Sequence, residues 1–155
     1  MMPRVFEPIR VGTRTAIGSD EAPMEKPAGR KSILIVDDED QFRFSACVAL
    51  RRNGYRVADA CDGKRALAAI LESRRRGDPF DLIVTDIRMP ELSGIELIDA
   101  LKDHGVSVPI CAITCFDDGA LVAELSKKGC REYLEKPFTP EELVKWIGTI
   151  LGRSG

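Results

Sequence analysis

The chain has 155 residues, 31% of them charged, with 23 Lys and Arg against 25 Asp and Glu for a net charge of −2. That length suits one domain with a real hydrophobic core, and interspersed charges of near-zero sum give no field drawing the chain onto nucleic acid or an anionic membrane. No apolar run approaches the ~18 residues of a membrane helix and the N-terminus lacks a secretory signal's apolar stretch, so the expectation is a soluble cytoplasmic protein.

Residues 1–30 hold four prolines and three glycines among mixed charges, with neither helix nor strand periodicity, and read as a flexible N-terminal arm. From Lys31 onward short apolar runs alternate with segments of helical spacing. The first run, Ser32–Val36, is followed by Asp37, Asp38 and Glu39. Phe44, Cys47 and Val48 then fall on one helical face, and Asn53-Gly54 supplies a stop. A second run, Arg56–Ala60, precedes the stripe Ala66, Leu67, Ile70 and Leu71, which ends in the solvated run at residues 74–77 with Pro79 just beyond.

The third run, residues 81–85, carries Leu82, Ile83, Val84 and Thr85 without polar alternation, which is how a strand covered on both faces reads, and it leads directly into Asp86. Gly94, Leu97, Ile98 and Leu101 form the next stripe, with Ser93 as cap and Gly105 past the end. His104 is expected to be exposed at that helix's end. Residues 109–114 make a fourth run. Leu121, Val122 and Leu125 then precede Lys127, Lys128 and Gly129, cations at a helix's negative end. Glu132–Glu135 is the fifth run, and Thr139-Pro140-Glu141-Glu142 is a capped, proline-started helix entry ahead of Leu143, Trp146, Ile147 and Ile150. Trp146 on that face is expected to pack into the core. Alternation at this interval implies right-handed parallel crossovers, hence an α/β three-layer sandwich.

Five cysteines, an odd number in apolar segments, suit reduced buried thiols rather than a disulfide scaffold. Cys111 and Cys115, with the one histidine elsewhere, do not make a zinc site.

Parallel strands deliver the residues at their carboxyl ends to one edge: Asp37, Asp38 and Glu39, then Asp86, Thr114 and Lys136. Acids crowded in a partly dry cleft repel one another, and a divalent cation compensates them; Mg2+ fits because it takes oxygen ligands and few carboxylates. Lys136 offers a movable cation and Thr114 a hydroxyl for phosphoryl oxygens around Asp86, whose carboxylate can act as a nucleophile and form an acyl phosphate.

The ordered set VDDED, TDIRMP, AIT and EKPF resembles the receiver domain of bacterial two-component response regulators. The resemblance covers residues 31–152, leaving the arm at 1–30 and a short tail at 153–155. It implies a flavodoxin-like (βα)5 sandwich with a five-stranded parallel sheet in the order 2-1-3-4-5. It implies Asp86 as phosphoacceptor, charged by a sensor histidine kinase or histidine phosphotransfer protein. Mg2+ would be held by Asp38, Asp86 and the backbone carbonyl of Arg88, with Asp37 acting mainly through a water. Lys136 would pair with the phosphoryl group next to a cis Pro137, and Thr114 with Tyr133 would form the switch. A homodimer or effector surface would lie on the fourth helix, fifth strand and fifth helix.

One departure from the family pattern is bulk after the switch hydroxyl, Cys115 and then Phe116; with Arg88, Phe116 is read as shielding the acyl phosphate from water. Two other readings compete. A Mg2+-dependent phosphohydrolase would want Asp-x-Asp after the first strand, where this chain has Asp37-Asp38-Glu39, and would want a cap insertion. A receiver-like binding module independent of phosphorylation would not need the full acidic cluster. The sequence ends just past the fifth helix, which fits a single-domain regulator or a receiver taken from a longer protein.

Overall fold

The computed structural model describes residues 30–89, 91–115 and 119–154, with residues 153 and 154 described by backbone alone. Expectations for residues 1–29, for Phe116 and for Gly155 therefore lie outside the described residues.

Five strands, β1 (Ser32–Val36), β2 (Arg56–Ala60), β3 (Leu82–Asp86), β4 (Ile110–Thr114) and β5 (Glu132–Glu135), form one parallel sheet in the order β2-β1-β3-β4-β5. Between and after them run α1 (Asp40–Arg52), α2 (Gly63–Arg75), α3 (Gly94–Asp103), α4 (Gly119–Lys127) and α5 (Pro140–Ser154). This is the expected doubly wound sandwich, with β3 taking in Asp86 as its last residue.

The uniform apolar runs hide a period of two. Ile33, Ile35, Leu82, Val84, Cys111 and Ile113 pack with Ala46, Cys47 and Leu50 of α1 and with Leu143 and Ile147 of α5. The intervening Leu34, Val36 and Ile83 pack against Ala66 and Ile70 of α2 and Leu97 and Leu101 of α3. Both faces of the central strands β1, β3 and β4 are thus buried, so alternation there does not show as polarity. Trp146 packs against the first cluster as expected.

Helix starts follow local chemistry. Ser93 and Glu96 form a reciprocal capping box at α3, and Thr139 and Glu142 do the same at α5, each side chain accepting from the other's backbone N–H. Asp62 caps α2 by accepting from Arg65 N at 2.7 Å.

Two expectations need correction. Phe44 is 73% exposed rather than in the α1 stripe, because Ala46, Cys47 and Leu50 set the buried face and Phe44 lies about 110° round the helix from its centre. The cysteines are all free, but only Cys47, Cys111 and Cys130 are buried; Cys61 is intermediate and Cys115 exposed, because each follows a strand where the chain turns out of the sheet.

Candidate functional site at the carboxyl edge of the sheet

The sheet order reverses between β1 and β3, since β2 lies beyond β1 and β4 beyond β3. A crevice opens at such a point, outside the strands' carboxyl ends. The ladder continues past the strands: Asp37 N–H donates to Ala60 O at 3.2 Å, Ile87 N–H to Ile113 O at 3.2 Å and Lys136 N–H to Thr114 O at 2.8 Å. Sheet geometry rather than loop chance therefore places the backbone of the site.

Pleat parity then divides the side chains. Asp37 continues the series Ile33, Ile35; Asp86 continues Leu82, Val84; and Lys136 continues Leu134, all on the α1/α5 face. Thr114 continues the opposite series, with Ala112, whose register partner is Tyr133 on β5. The acids and the ammonium meet accordingly: Lys136 Nζ lies 3.2 Å from Asp37 Oδ2, 3.7 Å from Asp86 Oδ2 and 3.7 Å from Glu39 Oε1. Asp37, Asp38 and Asp86 each bring a carboxylate oxygen within 4.8 Å of the others. The Lys136–Pro137 peptide bond is cis.

Burial sets the electrostatics. Asp37 is fully buried and Asp86 is 8% exposed. The Asp86 carboxyl is pushed up to about 6, first by burial and then by the charge of Asp37, with Asp38 adding to it; Lys136 and the Arg88 N–H, 3.2 Å from Asp86 Oδ1, pull the other way. Burial pulls the Lys136 ammonium down, but Asp37, Asp86 and Glu39 together outweigh it and leave its pKa raised, so the group stays charged. Thr114 is 1% exposed, and its Oγ1 has no hydrogen-bond partner among the described residues. A buried hydroxyl left unpaired costs about 1–3 kcal/mol, so it marks either strain or a place kept for another group's oxygen.

These residues fit a divalent cation. Three carboxylates converge, one of them already driven toward protonation by its neighbours, and a hard cation would remove that repulsion with the oxygen ligands Mg2+ prefers.

Close packing fixes the loop carrying Arg88. A Cβ on Gly94 would lie 2.6 Å from Asp86 O and 2.9 Å from Ile87 Cα, both backbone atoms that cannot yield. Gly63, at the start of α2, is pressed against the Leu92 carbonyl in the same way. Tyr133 is 42% exposed, turned out of the sheet edge, and His104 is the exposed C-cap of α3.

Sequence reasoning missed Phe42 and Phe138. The Lys136 ammonium sits 4.9 Å from the centroid of the Phe42 ring, which meets Phe138 edge-on at 5.7 Å. The signal was available: Phe42 precedes the buried α1 residues by one turn, and Phe138 follows Lys136 by two. Two cavities, of about 310 and 430 Å3, lie at the opposite edge of the sheet, lined by residues such as Phe80, Val108 and Pro109, and touch none of these groups.

A family model described as the response regulator receiver domain matches residues 33–148. The alkaline phosphatase synthesis transcriptional regulatory protein PhoP of Bacillus subtilis is 37% identical over 127 residues, 80% of this chain and 50% of that protein. The phosphate regulon transcriptional regulatory protein PhoB of Pseudomonas aeruginosa is 36% identical over 127 residues, 81% of this chain and 53% of its own. The chain thus spans about half the length of the curated relatives it matches. Among solved structures, the receiver domain of Francisella response regulator 1452 superposes with a TM-score of 0.70 at 29% identity, covering 81% of this chain and 99% of that one. The chemotaxis protein CheY4 of Vibrio cholerae gives 0.70 at 31% identity, covering 79% and 99%. These relatives are named as regulators and lend no support to the phosphohydrolase reading. The chain belongs to the response regulator receiver domain family.

Proposed function

We propose that Asp86 accepts a phosphoryl group from a phosphohistidine of a sensor histidine kinase or histidine phosphotransfer protein. One observation carries this reading: a carboxyl at the carboxyl edge of the sheet has the Lys136 ammonium 3.7 Å from one oxygen, and Thr114, which ends the neighbouring strand, keeps a buried hydroxyl without a partner among the described residues. An Asp86 oxygen attacks phosphorus, the N–P bond breaks, and the imidazole leaves with the electron pair. Asp38, Asp86 and the Arg88 carbonyl would hold Mg2+, with Asp37 acting mainly through a water, and the ion would supply positive charge for the phosphoryl oxygens.

Lys136 pairs with one phosphoryl oxygen, its ammonium held over the face of the Phe42 ring at 4.9 Å from the centroid. Thr114 donates its free hydroxyl to another. Because Thr114 and Tyr133 lie on the same sheet face, movement of the hydroxyl changes the space open to the ring, and Tyr133 turns inward from its exposed position. A single charge-assisted hydrogen bond, about 1.5–3 kcal/mol, is below the ~5.5 kcal/mol needed to move a population from 1:99 to 99:1, so Lys136, Mg2+ and a partner share the switch. The surface altered is α4, β5 and α5, which serves a second copy or an effector. Arg88 and Phe116 shield the acyl phosphate from water. The compartment is the cytoplasm, in keeping with the absence, among the described residues, of any helix long and apolar enough to cross a membrane.

The test is incubation of the full chain with a small-molecule phosphodonor and Mg2+, read by intact mass. One phosphoryl group per chain, absent in Asp86→Asn and in the presence of a chelator, is expected, with faster loss of the label in Phe116→Ala. Repeated turnover of a phosphate ester without a labelled chain would sink the reading.

A further inference from the structure

Asp38 poses a problem of placement. It is exposed, so packing does not hold it, yet its carboxylate stands within 4.8 Å of those of Asp37 and Asp86. Its position must come from the backbone at the β1–α1 junction. That junction is gripped by Arg43, one turn into α1, whose side chain is only 16% exposed. The guanidinium uses three nitrogens on three segments. Nη1 donates to the Asp37 carbonyl at 3.0 Å, Nε to Asp59 Oδ2 on β2 at 2.8 Å, and Nη2 pairs with Asp40 Oδ1 at 2.9 Å.

The Asp37 carbonyl belongs to the peptide plane that also contains Asp38 N and Cα, so fixing that oxygen fixes the direction in which Asp38 leaves the strand. Glu39 N–H completes the turn by donating to Asp37 Oδ1 at 2.8 Å. The planar fork of arginine suits this triple contact; the single ammonium of lysine cannot reproduce it.

We propose that Arg43 is a positioning residue for the divalent cation, holding the Asp37–Asp38 peptide in the orientation that brings both acids to Asp86; this rests on the reading above that these acids hold Mg2+. Charge and position make opposite predictions here. Removing a cation that touches the Asp37 carbonyl, beside the acids that would hold the metal, would, by relief of Coulomb repulsion alone, tighten binding of Mg2+. Loss of positioning weakens it, and groups that orient metal ligands typically account for about 10–100-fold in affinity.

The experiment is a Mg2+ titration of the full chain, without phosphodonor, followed by the amide chemical shifts of residues 86–88. Arg43→Ala is expected to weaken binding by about 10-fold or more, and Arg43→Lys, which keeps the charge and guards against a misfolded alanine variant, by several-fold. Asp40→Ala removes only the contact to an 87% exposed carboxylate and is expected to stay within about twofold of wild type. Arg43 variants binding as tightly as wild type, or more tightly, would overturn this proposal alone. A wild-type chain with no saturable response would overturn the Mg2+ reading and this proposal with it.

Discussion

The two edges of one sheet are built to opposite rules. At the amino edge, polar groups find partners: Ser32 N–H donates to Asp81 Oδ2 at 2.7 Å, Asp81 N–H donates to Ser32 O at 2.8 Å, and Arg56 forks onto both oxygens of Asp78 at 2.9 Å. Among the buried side-chain atoms of the described residues there, Arg56 Nε is left without a partner. At the carboxyl edge, like charges face one another, one carboxyl is driven up to about 6, and a buried hydroxyl is unpaired. The amino edge holds the chain together, and the carboxyl edge stores unfavourable electrostatics that the proposed cation and phosphoryl group would relieve. Substitutions at the first should therefore lower stability, and removal of the Asp86 charge or of the Thr114 hydroxyl at the second should raise it.

The largest effect is expected at the amino edge. Asp81→Ala removes the acceptor of the buried Ser32 N–H, leaving that donor unpaired, and takes one of two acceptors from the Ser32 hydroxyl, which keeps the Pro79 carbonyl at 3.4 Å. A loss of about 2–3 kcal/mol in urea unfolding is expected, with phosphoryl uptake at Asp86 unchanged. Loss of uptake in the folded variant would show that the edges are coupled and break the contrast.

This division was only half legible in the sequence. The carboxyl edge could be read because parallel topology sends every strand end to one side, so Asp37, Asp38, Asp86, Thr114 and Lys136 could be grouped before any coordinates. The crossovers followed from alternation of strand and helix, and the α5 entry from Thr139 and Glu142, whose capping bonds are 2.8 and 3.0 Å. What escaped depended on rotation and reach. The facing of α1 is set by where β1 and α5 pack, so Phe44 was placed inside although it is 73% exposed, while Phe42, beneath Lys136, went unnoticed. Arg43 was invisible because its three partners, Asp37, Asp40 and Asp59, are spread over 23 positions and meet only when β2 lies beside β1. The amino edge escaped for the same reason: Ser32 and Asp81 are 49 residues apart.

An intermediate effect is expected at Asp86, with the sign opposite to Asp81. Its folded-state pKa of about 6 lies above the ordinary 3.8, so its favourable contribution is complete below about pH 4 and is lost as the pH rises through 6. In metal-free buffer near pH 7.5, Asp86→Asn is expected to be more stable than wild type by about 1–2 kcal/mol once solvent screening is allowed for, and the gap should close toward pH 4. Adding Mg2+ should stabilise wild type by mass action and the variant much less. Equal stability of the two across the pH range would show that Asp86 is not under electrostatic strain.

The smallest effect separates strain from structure at Thr114. Valine matches threonine in shape but has no hydroxyl, so Thr114→Val removes the unpaired donor without opening a cavity in a side chain only 1% exposed. If the hydroxyl is kept for a phosphoryl oxygen, its removal should raise stability by about 1 kcal/mol while uptake of phosphoryl persists and the accompanying change at Tyr133 is lost. Urea unfolding and the Tyr133 ring resonances, compared with and without phosphodonor, measure both. A destabilised variant would mean that the hydroxyl has a partner in the resting protein, and the carboxyl edge would then follow the same rule as the amino edge.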